Sequence, residues 1–495
     1  MHNGGLSLNT AVPVALIMMP MAGALCSART GTSSIGRHVG TGILLLQLLL
    51  IVSMILGFDS SSGNTQYLSR WLILPGMTIT FAIDGTSLLF MLVSHLLALA
   101  ALVYAPSEKM FPRGEAGLVL LFLVQAQLTA GFMIQDLVQF MAIDTLGLLA
   151  ILYWIGGDPA TRIPIRRQLL LGQGLMLLAA LILFTWVHAA TGSWESSPEV
   201  LAAHPMDAKS QNILFFLFFY GLCFRVGQFP FHHWLPSWLA SQRGVLLPLL
   251  LIGNKSGIYL LLRFIKPALA DAVTYNAPFI RILGISGALY GAVLALIQIH
   301  AMKQLAYAFV SQSGIIMLGL FALNISASTG CTILAVQYGL AAGGLLVATH
   351  MSAKRSRTML IPRMGGLFSS SPQAGLLFLV STLGAVAMPG TGGFDGAHLL
   401  VEGLVTGGYW LMAIGVGVTH VMTTAFLLWS FQRQYLAKRI ESRLEMLVIK
   451  VPVTETLLVL AFSAWLLLSG MTSQYWMQML QPATPHHSQP ERMPP

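Results

Sequence analysis

Charge is what this 495-residue chain has least of. Asp, Glu, Lys and Arg together make up 9% of it, against about 25% in soluble domains, and that excludes a soluble fold. Cysteine is also scarce. The three present, Cys26, Cys223 and Cys331, lie inside or at the ends of apolar runs. No CxxC or Cys/His cluster occurs, so neither an iron–sulfur nor a zinc site is supported, and the three read as buried small hydrophobes. No basic leader or small-residue cleavage site accompanies the first apolar run, Ala11 to Cys26. It reads as a membrane helix rather than a signal peptide. GTGG at 390–393 lacks the Lys-Ser/Thr ending and the flanking strand of a phosphate loop. No cofactor, metal or catalytic residue is expected. The net charge of +9 is not a nucleic-acid footprint, because the basic residues sit in short loops between apolar runs, where they set topology.

What the chain has in abundance is hydrophobic sequence, 56% of all residues. The runs are solidly apolar and each is long enough for a membrane helix, unlike the alternating strands of a barrel. An all-α polytopic membrane protein follows, embedded in a lipid bilayer. About 14 spans of this length are expected: 11–28, 39–57, 86–104, 117–134, 137–155, 168–189, 211–228, 245–264, 277–299, 305–323, 329–350, 373–389, 408–430 and 452–471. Lys and Arg concentrate in the loops after odd-numbered spans, for example Arg162, Arg166 and Arg167; Lys354, Arg355, Arg357 and Arg363; and Arg433, Lys438, Arg439, Arg443 and Lys450. The bias places those loops in the cytoplasm and both termini outside it, in a cell inner or plasma membrane. The tail 481–495 is Pro-rich, polar and expected to be disordered; its His486 and His487 read as solvated.

Few charges stand inside the spans. Asp144 is near the middle of LVQFMAIDTLGLLAILYWI. A lone carboxylate there costs about 2.5–3.5 kcal/mol and calls for a cation. Arg225, in the seventh span, is the best candidate; the pair reads either as part of an ion path or as a structural cross-link. Lys255 lies within LIGNKSGIYLLL, where a lysine can load and release a proton, whereas an arginine stays charged. Pro230 and Pro389 follow apolar runs and precede GQFPFHHWLP-type and AMPGTGGFDG-type stretches, so two broken helices are expected. They fall about five spans apart, the spacing of paired interrupted helices in inverted repeats. The expected organisation is helices 1–3 over 1–116, a first five-helix inverted repeat over 117–264, a second over 277–430, a C-terminal helix within 431–480 and the tail. His232, beside Pro230, reads as a proton relay or as a structural histidine.

The motifs FAIDGTSLLF (81–90), PFHHWLP (230–236), NKSGIYLLLRF (254–264), MKQLAYAFVSQSG (302–314), YGLAAGGLL (338–346), RMGGL (363–367) and MPGTGGF (388–394) carry a resemblance. The chain resembles the antiporter-like membrane subunits of respiratory complex I, most closely the subunit 4, M or chloroplast D class, which are related to multi-subunit sodium/proton antiporters and membrane-bound hydrogenases. The resemblance implies a proton path at mid-membrane, with Asp144, Arg225 and Lys255 at the positions of a Glu, a Lys and a second Lys. It also implies partners, namely other membrane subunits of a complex I-type or antiporter complex. Gln312 and Tyr338 stand where the family often has histidines, and Ala397 where the subunit 4 class has an acid, with His398, Asp395 and His420 as substitutes. The expected function is proton translocation coupled to a quinone oxidoreductase. The alternatives are a subunit of a cation/proton antiporter or inorganic-carbon uptake system, and a spacer that has lost conduction.

Overall fold

The computed structural model describes residues 8–30, 34–59, 65–74, 77–104, 116–155, 159–241, 255–438 and 452–480. The first half of the span expected at 245–264, the loop residues Lys109, Arg113, Arg243 and Arg439 to Lys450, and the tail 481–495 lie outside them. The helices in chain order are α1 (Leu8–Thr30), α2 (Ser34–Leu56), α3 (Gly85–Tyr104), α4 (Ala116–Gly131), α5 (Leu137–Trp154), α6 (Pro159–Thr191), α7 (Pro198–Ala203), α8 (Ala208–Val226), α9 (Trp234–Ser241) and α10 (Ser256–Leu260). A π-helical turn, Leu261–Ile265, carries α10 into α11 (Lys266–Ala268). Then come α12 (Ala270–Leu296), α13 (Ala301–Leu320), α14 (Ile325–Ser356), α15 (Leu367–Ser370), α16 (Pro372–Ala385), α17 (Gly392–Thr406), α18 (Trp410–Phe431), α19 (Val453–Met471) and α20 (Ser473–Leu480). Among the described residues, nine helices are long and apolar enough to cross a membrane, and Gly117–Gly131 and Pro372–Ala385 are shorter apolar helices.

The sequence reading assigns nothing to the stretch between α2 and α3. The structure puts an antiparallel hairpin there, β1 (Gln66–Leu74) and β2 (Met77–Ile83), with Arg70 opposite Thr80 and Trp71 opposite Ile79. Its free edge is covered by the turn between α4 and α5. Ala82 N–H donates to the Met133 carbonyl at 2.8 Å, and Gln135 N–H to the Thr80 carbonyl at 3.1 Å. Pairing an exposed strand edge satisfies its backbone groups locally.

Both expected breaks are present. α8 stops at Gly227, whose φ of 73° is left-handed, a conformation glycine adopts without steric cost. The indole of Trp234 then donates to the Phe224 carbonyl at 3.1 Å, satisfying one of the carbonyls that a helix end leaves free. α16 and α17 are separated by 386–391, where Gly390 has φ 93° and Pro389 is exposed.

Helices in lipid associate through close packing of small residues rather than through the hydrophobic effect. Gly172 of α6 and Gly221 of α8 show this. A Cβ added to either would lie 2.7 Å from the other's carbonyl oxygen. The contact sets Gln173 beside the last turn of α8. Gly221→Leu is therefore expected to force α6 and α8 apart and destabilise the protein by about 1–3 kcal/mol, seen as a lower melting temperature of the detergent-purified protein.

The longest interior element is α14. Every residue from Gly330 to Ser352 is buried, so this helix has protein on all sides and no lipid face.

Candidate functional site

Three elements meet at Asp144. It lies on the buried face of α5. Arg225, in the last turn of α8, donates through Nη2 to Asp144 Oδ1 at 2.9 Å and through Nη1 to Oδ2. The pairing is therefore two-pronged, the geometry that matches a planar guanidinium to a carboxylate. Nη1 also donates to Gln173 Oε1 on α6. Gln173 Nε2 in turn donates to Thr145 Oγ1 at 2.8 Å, and Thr145 to the Met141 carbonyl at 2.6 Å. Gln173 is a component the sequence reading missed. Its signal is a glutamine between two glycines in an otherwise apolar run, but a neutral side chain does not demand a partner as a charge does.

Lys255 is buried and stands immediately before α10. Its Nζ lies over the ring of Tyr338 of α14, 5.6 Å from the centroid, a cation–π approach that needs no second charge. Tyr338 is itself buried, and its hydroxyl has no hydrogen-bond partner among the described residues. Gln312, buried on α13, leaves its Nε2 equally unpartnered there. Behind Tyr338, Gln337 Oε1 accepts from Ser469 of α19 at 3.2 Å. A Cβ on Gly392, at the start of α17, would meet Gln337 Nε2 at 2.6 Å and Ser469 Oγ at 2.9 Å. The second broken helix thus abuts the polar residues of α14.

His232 is buried just beyond the first break. It packs on Phe229, His233, Tyr290 and Tyr307, and its Nδ1 has no partner among the described residues. Pro230 is exposed. His398 is placed differently from the others. It is exposed on α17, and the contact described for it is the ring of Phe394 at 6.4 Å. Asp395 is half-buried. His420, on α18, holds the Val416 carbonyl at 3.0 Å through Nδ1.

Two further ion pairs, one partly and one fully buried, escape the sequence reading. Asp84, just before α3, accepts from Arg263 of the π-turn at 2.8 Å and from Ser87 N–H at 2.6 Å. Arg263 also donates to Gln135 Oε1. This knot joins α3, the α4–α5 turn and the α10 segment. Its signal was present, since Asp84 and Arg263 lie in two of the quoted motifs. The other pair corrects an expectation. Arg355, placed in a cytoplasmic loop from sequence, lies in the last turn of α14. It is buried and donates to Glu455 Oε2 of α19 at 2.6 Å.

Interior charges on apolar helices, two interrupted helices and a fully enclosed central helix define a multi-pass membrane protein with a polar interior. Residues 166–423, half of the chain, match the family described as NADH:quinone oxidoreductase/Mrp antiporter, TM, and the chain belongs to that family. Among curated relatives, NADH-quinone oxidoreductase subunit M of Escherichia coli is 29% identical over 414 residues, covering 78% of this chain and 80% of that protein. A chain of respiratory complex I from Thermus thermophilus with bound NADH superposes with TM-score 0.83 and 26% identity, covering 95% of this chain and 97% of that one. A chain of the Mrp complex from a Dietzia species shares the fold, with TM-score 0.80 and 18% identity over 96% of each chain.

Proposed function

We propose that this chain is the proton-translocating antiporter-like subunit of a complex I-type NAD(P)H or ferredoxin:quinone oxidoreductase membrane arm. Its relatives are the subunit M and chain 4 proteins, and the two-pronged Asp144–Arg225 pair carries the reading. That pair gives a carboxylate on an apolar helix a cationic partner. Moving Arg225 away leaves a buried carboxylate that favours protonation, because desolvation disfavours the charged form. Lys255 is the next group able to accept that proton; Tyr338 lies under its amine, and Gln312 and His232 are further buried polar groups that the reading assigns to the path. Energy arrives from neighbouring membrane subunits as a displacement of Arg225; electrons do not pass through this chain.

The same reading assigns two inverted repeats, 117–264 and 277–430, each closed by a helix broken at Pro230 or Pro389. It assigns about 14 crossings, both termini on the non-cytoplasmic face, and a cell inner or plasma membrane. His398, exposed on α17, stands apart from these buried groups.

A second reading, a cation/proton antiporter or inorganic-carbon uptake subunit, is favoured by Gln312, Tyr338 and Ala397, whose side chains neither gain nor lose a proton near neutral pH. Gentle purification from the native membrane separates the two. Co-purifying peripheral redox subunits support the first reading, and a complex without them supports the second. Within the first, Lys255→Met is expected to cut proton movement through the chain by at least about a hundredfold. Lys255→Arg, which keeps the charge but cannot release a proton, should be nearly as defective. Dye-monitored proton uptake into liposomes checks both.

A further inference from the structure

The Asp144 site leaves a second set of buried polar groups unused, and all of it lies along α14. At the end of that helix Arg355 and Glu455 form a pair whose side chains are only 3% and 6% exposed. Tyr104, the last residue of α3, places its hydroxyl 3.1 Å from His350 Nδ1, one turn back along α14. Ser352 Oγ lies 2.6 Å from the Tyr435 hydroxyl on the same end. Further inward come Thr349 of α14 and Ser381 and Thr382 of α16. All three are fully buried, and none of their hydroxyls has a hydrogen-bond partner among the described residues. Gly344 brings the two helices together at this level, since a Cβ there would lie 2.0 Å from Ser381 Oγ. Inward again stands Tyr338 under Lys255, and next to it in the helix Gln337 with Ser469. From His350 to Tyr338 is about three helical turns, roughly 18 Å, and the hydroxyls of α16 lie within that interval.

Buried hydroxyls without protein partners are ordinarily satisfied by water. A row of them between a carboxylate at one end and an amine at the other is a route along which a proton can pass.

We infer that this row is a second proton-uptake branch, opening at the Arg355–Glu455 pair and reaching Lys255 along α14 by way of Tyr104–His350, Thr349, Ser381–Thr382 and Tyr338. The inference rests on the proposed function above. The pair sits at the end of α14 that leads into the Lys- and Arg-rich segment 354–363, the face assigned to the cytoplasm. Arg355 covers the Glu455 carboxylate and closes the mouth. When it moves off, the carboxylate takes a proton from cytoplasmic water. That proton passes through the Tyr104–His350 pair and then along hydroxyl-bound water. One proton is delivered to the Lys255 amine for each taken up at Glu455.

The test uses the intact complex in liposomes, driven by its own electron donor, with proton uptake and electron transfer recorded together. Glu455→Ala is expected to slow uptake by at least about tenfold. Sodium formate added on the cytoplasmic side should restore it, because a small acid can stand in for the missing carboxyl; a purely structural pair would not respond. Thr349→Val with Thr382→Val, nearly isosteric and leaving the ion pair intact, should slow uptake by about fivefold, the equivalent of one lost hydrogen bond. Wild-type uptake in the valine variant overturns the branch, as does a Glu455→Ala defect that formate does not relieve. Asp144→Asn serves as the reference. If it stops uptake while the α14 variants do not, the branch alone is wrong. If it too pumps normally, the proposed function fails.

Discussion

Asp144→Asn is expected to stop proton movement through this chain while the complex still assembles. Asparagine keeps the shape of the side chain and one acceptor oxygen toward Arg225, but it cannot take up or release a proton. Arg225 keeps acceptors in Gln173 Oε1 and the new amide oxygen, and its side chain is more exposed than that of Asp144, so its charge is less stranded than the carboxylate would be without the arginine. The expected loss is at least about a hundredfold, the usual contribution of a group that carries a proton in the rate-limiting step. Asp144→Glu should retain much of the rate, because the family relationship implies a glutamate at this position. Proton uptake measured beside electron transfer in the same liposomes separates the loss from a failure to assemble. Asparagine at wild-type rates would remove Asp144 from the path.

The second large effect concerns stability. Arg225→Met leaves the Asp144 carboxylate buried with no cation. Removing one member of a buried pair typically costs about 3–5 kcal/mol, because the other charge is left uncompensated. The single variant is therefore expected to melt well below wild type or to be lost from the complex. Adding Asp144→Leu should return most of that stability, since replacing both members of a buried pair with apolar residues is often neutral. The double variant should still not pump. A double-mutant cycle on melting temperature reads the coupling directly. A single Arg225→Met variant as stable as wild type would mean that the carboxylate is already neutral or has found another donor.

The fold class and the first ion pair are legible in the sequence for one reason: the bilayer penalises charge. Solid apolar runs declare the helices, and a carboxylate or guanidinium inside such a run must have a partner, so Asp144 and Arg225 find each other on paper. The breaks at Pro230 and Pro389 are legible because proline removes a backbone donor that lipid cannot replace. Legibility ends where that penalty does not operate. Gln173 is neutral, so nothing in its run demands Arg225. Arg355 and Glu455 stand at helix ends, where a charge normally reaches water, and only the tertiary packing of α14 against α19 shows them to be enclosed. The β1–β2 hairpin lies outside the apolar runs, beyond what hydropathy can organise.

The enclosure of α14 has a consequence for how this chain can change. A helix with one side in lipid tolerates apolar exchange on that side, and its record of accepted substitutions repeats every 3.6 residues. From Gly330 to Ser352 no such free side exists. Each residue there meets another helix, so substitutions should be resisted all around the circumference and the record should carry no helical period. The same protein walls keep lipid from the groups along α14, so drift in membrane composition acts on the rim of the molecule and reaches its interior only through other helices.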